Sequence, residues 1–351
     1  MPAAANKPKG TPDISVIIVC HNDGKWLPRC LESVRKQTIF DRIEVIIADN
    51  ASEDGSDNLA KQLIVEWPNA HFLPTGGDNG FCVATNMAAR IARGEYLQIL
   101  NPDTWLEPDF LEQFQKTLEE TGAGAAGPVV LNYEDDSLQA QGCDGFDFTG
   151  NYMPPRAGRA PEPLFCMAGF FLIRKELFFR IGMLDEKCFM YGEEMDLSWR
   201  IWIAGERIAP ALKARIHHRG AVGVNPAGGT RIVENRTSIQ KRFLANRNRL
   251  LFVAKNCQHV LLAMLIPCGL LTALEGLLTA GVTKSFGLAR QTCFNAIADC
   301  WRLRGHVVNQ RRLIKGFRRH GDFWMLRFFR FGFGRWEEVQ RILKSGFPKF
   351  R

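Results

Sequence analysis

Four apolar runs in the first hundred residues each stop at a turn, and helical patterns fill the gaps between them. Ile14-Ser-Val-Ile-Ile-Val-Cys20, Ile43-Glu-Val-Ile-Ile-Ala48 and Tyr96-Leu-Gln-Ile-Leu100 are dominated by β-branched and aliphatic residues. That is the composition of strands buried on both faces of a parallel sheet. His71-Phe-Leu73, third in chain order, reads as a shorter strand. Helices are predicted over about 26–37, where Leu27, Leu31 and Val34 share a face, over 57–66 and over 82–92. Strand and helix alternate, crossovers are right-handed, and the expected fold is a doubly wound, mainly parallel α/β sheet.

In such a sheet, ligands bind beyond the carboxyl ends of the strands. The segments found there are polar: His21-Asn22-Asp23 after the first run, Asp49 to Ser56 after the second, and Asn101-Pro102-Asp103 after the fourth. Pro102 ends the ladder and leaves Asp103 as a hard oxygen ligand for a divalent cation beside a diphosphate, or as the closure of an Asx turn. Asp49 is placed to accept a hydrogen bond from a base or a ribose hydroxyl, or to cap the next helix. Gly76, Gly77 and Gly80 lead into a helix N-terminus, a seat for phosphate. Neither Gly-x-x-x-x-Gly-Lys-Ser/Thr nor Gly-x-Gly-x-x-Gly occurs there. A last cluster, Tyr191-Gly-Glu-Glu-Met-Asp196, opens a helix running to Ala204 and stopped by Gly205. The helix dipole favours its carboxylates by about 0.3–1 kcal/mol each, while crowding opposes their ionisation. An ionised carboxylate here is a candidate general base, with helix capping as the alternative role. His217 and His218 end the stretch from Ala209, where a neutral imidazole is either a metal ligand or structural.

As an ordered set, these clusters resemble family 2 glycosyltransferases of the GT-A fold, in particular a rhamnosyltransferase-like branch. The residues that carry the resemblance are Asp49-Asn-Ala-Ser-Glu-Asp-Gly-Ser56, Asn79-Gly-Phe81 with Asn86, and Leu100-Asn-Pro-Asp103. Leu184-Asp-Glu186, Glu193-Glu-Met-Asp-Leu197 with Arg200, and His217 with Gly220 complete it, over about residues 13–223. The resemblance implies inverting, metal-dependent transfer of a sugar from a nucleotide-diphosphate donor, first of all rhamnose from dTDP-rhamnose. Glu194 would be the base, with Glu193 and Asp196 beside it as further catalytic candidates. Mg²⁺ or Mn²⁺ would sit on Asp103, with His217 completing the shell or touching phosphate. Donor binding would fall to Cys20, His21, Asn22, Asp49, Ser52, Asn79, Gly80, Asn86, Asn101 and Arg200. The acceptor would be a glycan or lipid-linked glycan of surface polysaccharide assembly.

The 351 residues, 46% of them hydrophobic, suffice for one large domain or two ordinary ones. The expected division is a loose tail over 1–12, a catalytic domain over 13–235 and a helical region over 236–351. Irregular strands are expected over 127–165, with a mobile loop around Pro154–Pro163, then a strand over 165–173 and helices over 175–180 and 238–256. The first twelve residues lack the apolar run of a secretory signal. Ten cysteines without a Cys-x-x-Cys pair suit reduced thiols in the cytoplasm.

Charge is unevenly spread. Residues 284–351 hold 16 Lys+Arg against 4 Asp+Glu, a balance of +12 that exceeds the chain's +8, so the remainder is mildly acidic. The apolar stretch 260–281 reaches a membrane-spanning length only by accepting Pro267 and Glu275. It therefore fits a helix lying in the bilayer interface better than a full span or a core hairpin. The cations of 311–319 and the aromatics of 323–336 that follow suit an anchor on anionic lipid at the inner face of the cell membrane. The same mixture binds single-stranded nucleic acid, which leaves a non-catalytic nucleotide-sugar or nucleic-acid binding module as the alternative. A nucleotidyltransferase would place a glycine-rich, arginine-bearing loop after the first strand, where this chain has Cys20-His-Asn-Asp-Gly24.

Overall fold

A computed structural model describes residues 11–155, 164–167, 169–220 and 236–350. The chain opens with β1 (Ile14–Cys20), α1 (Leu27–Arg35), β2 (Ile43–Asp49), α2 (Ser56–Ile64), β3 (Ala70–Pro74), α3 (Phe81–Ile91) and β4 (Tyr96–Leu100). Every residue of β1, β2 and β4 is buried, as their unbroken apolar runs require. These strands pair in parallel in the spatial order β3-β2-β1-β4. The expected alternation is therefore present, with boundaries within about two residues of the pattern.

Beyond β4 the sheet becomes mixed. The chain adds β5 (Thr104–Leu106), α4 (Phe110–Thr121), β6 (Ala125–Asn132) and β7 (Leu138–Ala140), then the short β8 (Gly145–Phe146) and β9 (Tyr152–Met153). Next come β10 (Phe171–Arg174), α5 (Lys175–Arg180), α6 (Glu193–Ile203) and β11 (Ile208–His218). β10 lies antiparallel between β4 and β6, β11 is parallel to β6, and β5 closes the edge antiparallel to β11. The strand predicted over 165–173 is thus confined to its last part, because Leu164 and Phe165 lie against α6 instead of in the ladder. There Trp202 Nε1 donates to the Leu164 and Phe165 carbonyls. The tail expected over 1–12 and the loop expected around 154–163 lie largely outside the described residues.

Among the described residues from 236 on, the chain is mostly helical, apart from the short strands β12 (Arg236–Thr237) and β13 (Lys349–Phe350). Between them run α7 (Ile239–Asn256), α8 (Leu265–Thr283), α9 (Phe286–Ala289), α10 (Asn295–Arg302), α11 (Arg304–Phe317), α12 (Asp322–Met325) and α13 (Trp336–Ser345). Pro267 falls in the first turn of α8, where its missing N–H costs nothing. These helices are not a separate layer. Leu251, Phe252 and Val253 of α7 share one apolar cluster with Trp199 and Ile203 of α6, Phe165, and Met325 and Phe328 near the C-terminus.

α8 is inverted in polarity. Its inward side buries Thr272, Gly276 and Thr279, while Ile266, Leu270, Leu274, Leu277, Leu278 and Val282 are all more than half exposed. Among the described residues, the stretch Leu261–Thr283 is long and apolar enough to cross a membrane by length and composition.

Candidate active site

The parallel half of the sheet delivers its polar tips to one place. Asn22 takes a left-handed conformation (φ 60°), which asparagine tolerates better than most residues. Its Oδ1 accepts the Glu53 and Asp54 N–H groups, and its own N–H donates to Ser52 Oγ at 3.0 Å. His21 Nδ1 donates to the Asn50 carbonyl at 2.8 Å, and the buried Cys20 accepts the Asn50 N–H through its carbonyl. These bonds stitch the β1 and β2 tips together around Asp49. One Asp49 oxygen accepts the Ser52 N–H at 3.2 Å, while Oδ1 is buried with no hydrogen-bond partner. A buried acceptor left bare is costly unless a ligand satisfies it.

The third loop closes on the same tips. The Asn79 N–H donates to Asn50 Oδ1 at 3.0 Å and its side chain to the Thr75 carbonyl at 3.1 Å. Gly80 (φ 82°) is required by contact as well as conformation, since a Cβ there would lie 2.5 Å from the Phe189 ring. Phe189 belongs to the segment leading to α6, so the glycine loop and that segment are pressed together.

After β4, Thr104 Oγ1 donates to the Asn101 carbonyl, closing the turn through Pro102. Asp103 is left partly open, with Oδ2 3.4 Å from His218 Nε2. Burial, and then the neighbouring Asp103 carboxylate, push Asp23 up to about 6. His218 is oriented from behind. Gln139 Nε2 donates to Asn132 Oδ1 and to the His218 carbonyl, so its Oε1 must accept from His218 Nδ1, at 2.7 Å. Nδ1 then carries a proton, so in the neutral imidazole the lone pair lies on Nε2, the nitrogen nearer Asp103. Two electron-pair donors facing each other across 3.4 Å fit a cation between them, with room left for other oxygens. Among the described residues, no three His, Cys, Asp or Glu side chains form a ready metal cluster.

His217, the histidine expected at the metal, points to the other face of β11. Its ring stacks on Trp105 at 3.4 Å between centroids, with Nε2 3.1 Å from Glu107 Oε1. Neighbouring residues on a strand face opposite ways, and the pairing of His217 with Trp105 and of His218 with Thr104 decides which faces Asp103.

The opening turn of α6 also divides its carboxylates. Glu193 and Glu194 line a cavity of about 910 Å³. Burial raises both above the ordinary carboxylate range, the charge on Glu194 pushes Glu193 up further, and Glu193 Oε2 has no hydrogen-bond partner. Asp196 faces the interior instead. It accepts from Arg200 Nε at 3.0 Å and Nη2 at 2.7 Å, from Asn256 Nδ2 at 2.7 Å, and lies 3.0 Å from Lys255 Nζ. Those cations hold its carboxyl below the ordinary range despite burial. Arg200 is 2% exposed and also donates to the Ile181 carbonyl. Asp196 and Arg200, expected in catalysis and donor binding, are therefore bound to each other in the core.

Asn86 is likewise structural. Its amide both donates to and accepts from the Leu184 backbone, bracing the loop before α6. Asp23 is read from the sequence only as part of a polar cluster, and His218 only beside His217; Gln139, which orients His218, carries no local signal and is not found there.

The two ends of the site adjoin. Gly169 lines the cavity that holds Glu193 and Glu194, and Phe170 packs edge-on against His218 at 4.7 Å.

The chain is similar to known glycosyltransferases in sequence and in fold. Residues 15–182 match the family described as Glycosyl transferase family 2. The chain is 32% identical over 124 residues to the putative glycosyltransferase EpsH of Bacillus subtilis, covering 35% of this chain and 34% of that protein. It is 27% identical over 267 residues to the N-acetylglucosaminyl-diphospho-decaprenol L-rhamnosyltransferase of Mycobacterium tuberculosis, covering 67% of this chain and 85% of that protein. To the rhamnosyltransferase WbbL of Escherichia coli it is 26% identical over 260 residues, 67% of this chain and 96% of that protein. Among solved structures, GalNAc-T7 with UDP, GalNAc and Mn²⁺ superposes with a TM-score of 0.64 at 16% identity, over 97% of this chain and 59% of that one. S. aureus TarS 1-349 in complex with UDP gives 0.55 at 15%, over 87% of this chain and 89% of that one. These likenesses show the fold, a GT-A glycosyltransferase sheet. By the family match over residues 15–182, and by relatives aligned over most of their own length, the chain carries a glycosyl transferase family 2 domain.

Proposed function

We propose that the protein transfers a sugar, with inversion, from a nucleotide-diphosphate donor to a hydroxyl of a lipid-linked glycan. The observation that carries the reading is the adjoining pair of half-sites, Asp103–His218 at one end and Glu193–Glu194 at the other. Asp49 would satisfy its bare Oδ1 with an N–H or hydroxyl of the nucleoside. Asn22, Ser52, Asn79 and Gly80 act by shaping the loops around it. Asp103 and His218 would hold Mg²⁺ or Mn²⁺, which when bound offsets charge on the departing nucleoside diphosphate.

At the other end, Glu194 takes the proton of the acceptor hydroxyl as that oxygen attacks the anomeric carbon from the face opposite the leaving group. Burial raises both carboxyls and the charge on Glu194 raises Glu193 further; we assign the proton to Glu193 and the ionised, proton-accepting role to Glu194. One base suffices for a single displacement. Rhamnose from dTDP-rhamnose is the first donor to try, supported by the two relatives named as rhamnosyltransferases.

We read residues 236–351 as the membrane-associating part, resting on the cytoplasmic face through the exposed aliphatic side of α8 and the basic C-terminal helices.

The test is a thermal-shift and turnover panel of nucleotide sugars with Mn²⁺, with Mg²⁺ and with EDTA. Metal-dependent release of nucleoside diphosphate is expected, and Asp103→Ala abolishes it. Salt-sensitive oligonucleotide binding with no turnover would instead establish the binding module.

A further inference from the structure

The cavity beside Glu193 and Glu194 has a second wall that takes no part in the proton transfer at Glu194. It is built from α7 and α13. Two of its arginines are already neutralised: Arg242 and Arg335 share Glu275 and Glu338, with Arg335 at 2.7 and 2.6 Å from them. The other cations that line the cavity are Arg236, Lys241, Arg249 and Arg341. Among the described residues, no carboxylate pairs with Lys241, Arg249 or Arg341.

Lys241 and Arg249 stand eight residues apart on one face of α7, with Ala245 between them, and all three line the cavity. Eight residues of helix rise about 12 Å, a gap that two long cationic side chains can close from both ends over the small alanine. Arg249 is only 8% exposed. It donates to Asn151 Oδ1, Asn246 Oδ1 and Thr272 Oγ1, all neutral, and its Nε has no partner. A buried guanidinium without a counter-ion is costly. The carboxylates that line the cavity outside those ion pairs are Glu193 and Glu194, on the opposite wall, and Glu337.

We propose that Lys241, Arg249 and Arg341 bind a phosphate or diphosphate group of the acceptor, and that this group links the sugar to a lipid. The assignment rests on the glycosyl-transfer reading and names the acceptor class. The lipid part follows from α8. The same Thr272 and Glu275 that hold Arg249, Arg242 and Arg335 lie on the inner side of a helix whose outer side shows six aliphatic residues. A phosphate seated here is one helix away from a surface suited to the bilayer boundary.

The experiment measures binding to the full chain in EDTA and without donor, so that the metal end takes no part. The probes are a short-chain prenyl diphosphate, the matching prenyl alcohol, inorganic pyrophosphate, and vesicles with and without anionic lipid. The prenyl diphosphate is expected to bind more tightly than the alcohol or pyrophosphate. Lys241→Gln and Arg341→Gln should each weaken it by about tenfold or more, the size of a lost charge-assisted hydrogen bond. Both variants should keep parental nucleotide-sugar binding with Mn²⁺. Equal binding of the alcohol, or variants with unchanged affinity, overturns the site. Pyrophosphate binding as tightly as the prenyl compound overturns its lipid part. Equal losses on anionic vesicles lacking the prenyl compound make it a headgroup surface and overturn the acceptor role. Absence of metal-dependent nucleotide-sugar binding in the parent counts against the transfer reading, whichever way the prenyl result falls.

Discussion

Glu194 and Asp196 stand two residues apart on one helix, and their surroundings could hardly differ more. Asp196 lies in a buried lattice with Asp185, Lys255, Arg200 and His306, in which Lys255 Nζ contacts both aspartates and His306 Nε2 lies 3.0 Å from Asp185. Opposite charges depress both aspartates and raise Lys255. Among the described residues no cation pairs with Glu193 or Glu194; burial pushes both the other way, and the charge on Glu194 pushes Glu193 further. Acidity alone therefore does not make a functional group. The compensated carboxylates hold the C-terminal helices to the sheet, and the uncompensated ones keep proton affinity available for chemistry.

The largest effect should come from breaking the compensated side. Lys255→Met strands two buried carboxylates and should cost about 3–5 kcal/mol in urea unfolding; a variant as stable as the parent would refute a structural role. Glu194→Gln should do the converse, lowering turnover by about 10²–10⁴-fold with no loss of unfolding midpoint. Retained turnover removes Glu194 as the base.

The paired histidines sharpen the same contrast at the other end. His218→Ala should weaken Mn²⁺ binding in the presence of nucleotide by about tenfold or more. His217→Ala should leave it unchanged and cost about 1–3 kcal/mol of stability through its lost polar contacts and stacking on Trp105. The reverse pattern would return the metal role to His217.

The pH profiles should separate as well. A raised carboxyl is ionised only above its raised value, so turnover should fall with acid at a pH above the ordinary glutamate range near about 4.3. The lowered aspartates contribute stability above their unfolded value near about 3.9 and lose it only as pH drops through their folded values. Stability should thus outlast activity on acidification. Glu193→Gln, at the carboxyl we assign the proton, should give the smallest change, with turnover near the parent's. A collapse equal to that of Glu194→Gln would make the two glutamates a single unit.

The first strands and helices were legible from residue pattern because runs such as Ile14–Cys20 satisfy only one kind of burial. The placement of Asp49 and Asp103 at strand tips and of Glu193 and Glu194 on the first turn of a helix was legible, because the apolar runs and the helical pattern set where those elements end and begin. Asp196, Arg200 and Asn86 were misread, since order along the chain does not reveal that Lys255, Ile181 and Leu184 occupy their polar atoms.

Sequence by itself determined the alternation of elements, the acidic tips, the basic end and the apolar stretch that became α8. Tertiary structure alone decided which of two adjacent histidines meets Asp103, which carboxylates are neutralised, and that α7 brings unpaired cations to the wall facing Glu194. The reason is physical: pattern fixes which face a residue occupies within its own element, whereas ionisation and ligand contact depend on partners contributed from distant parts of the chain.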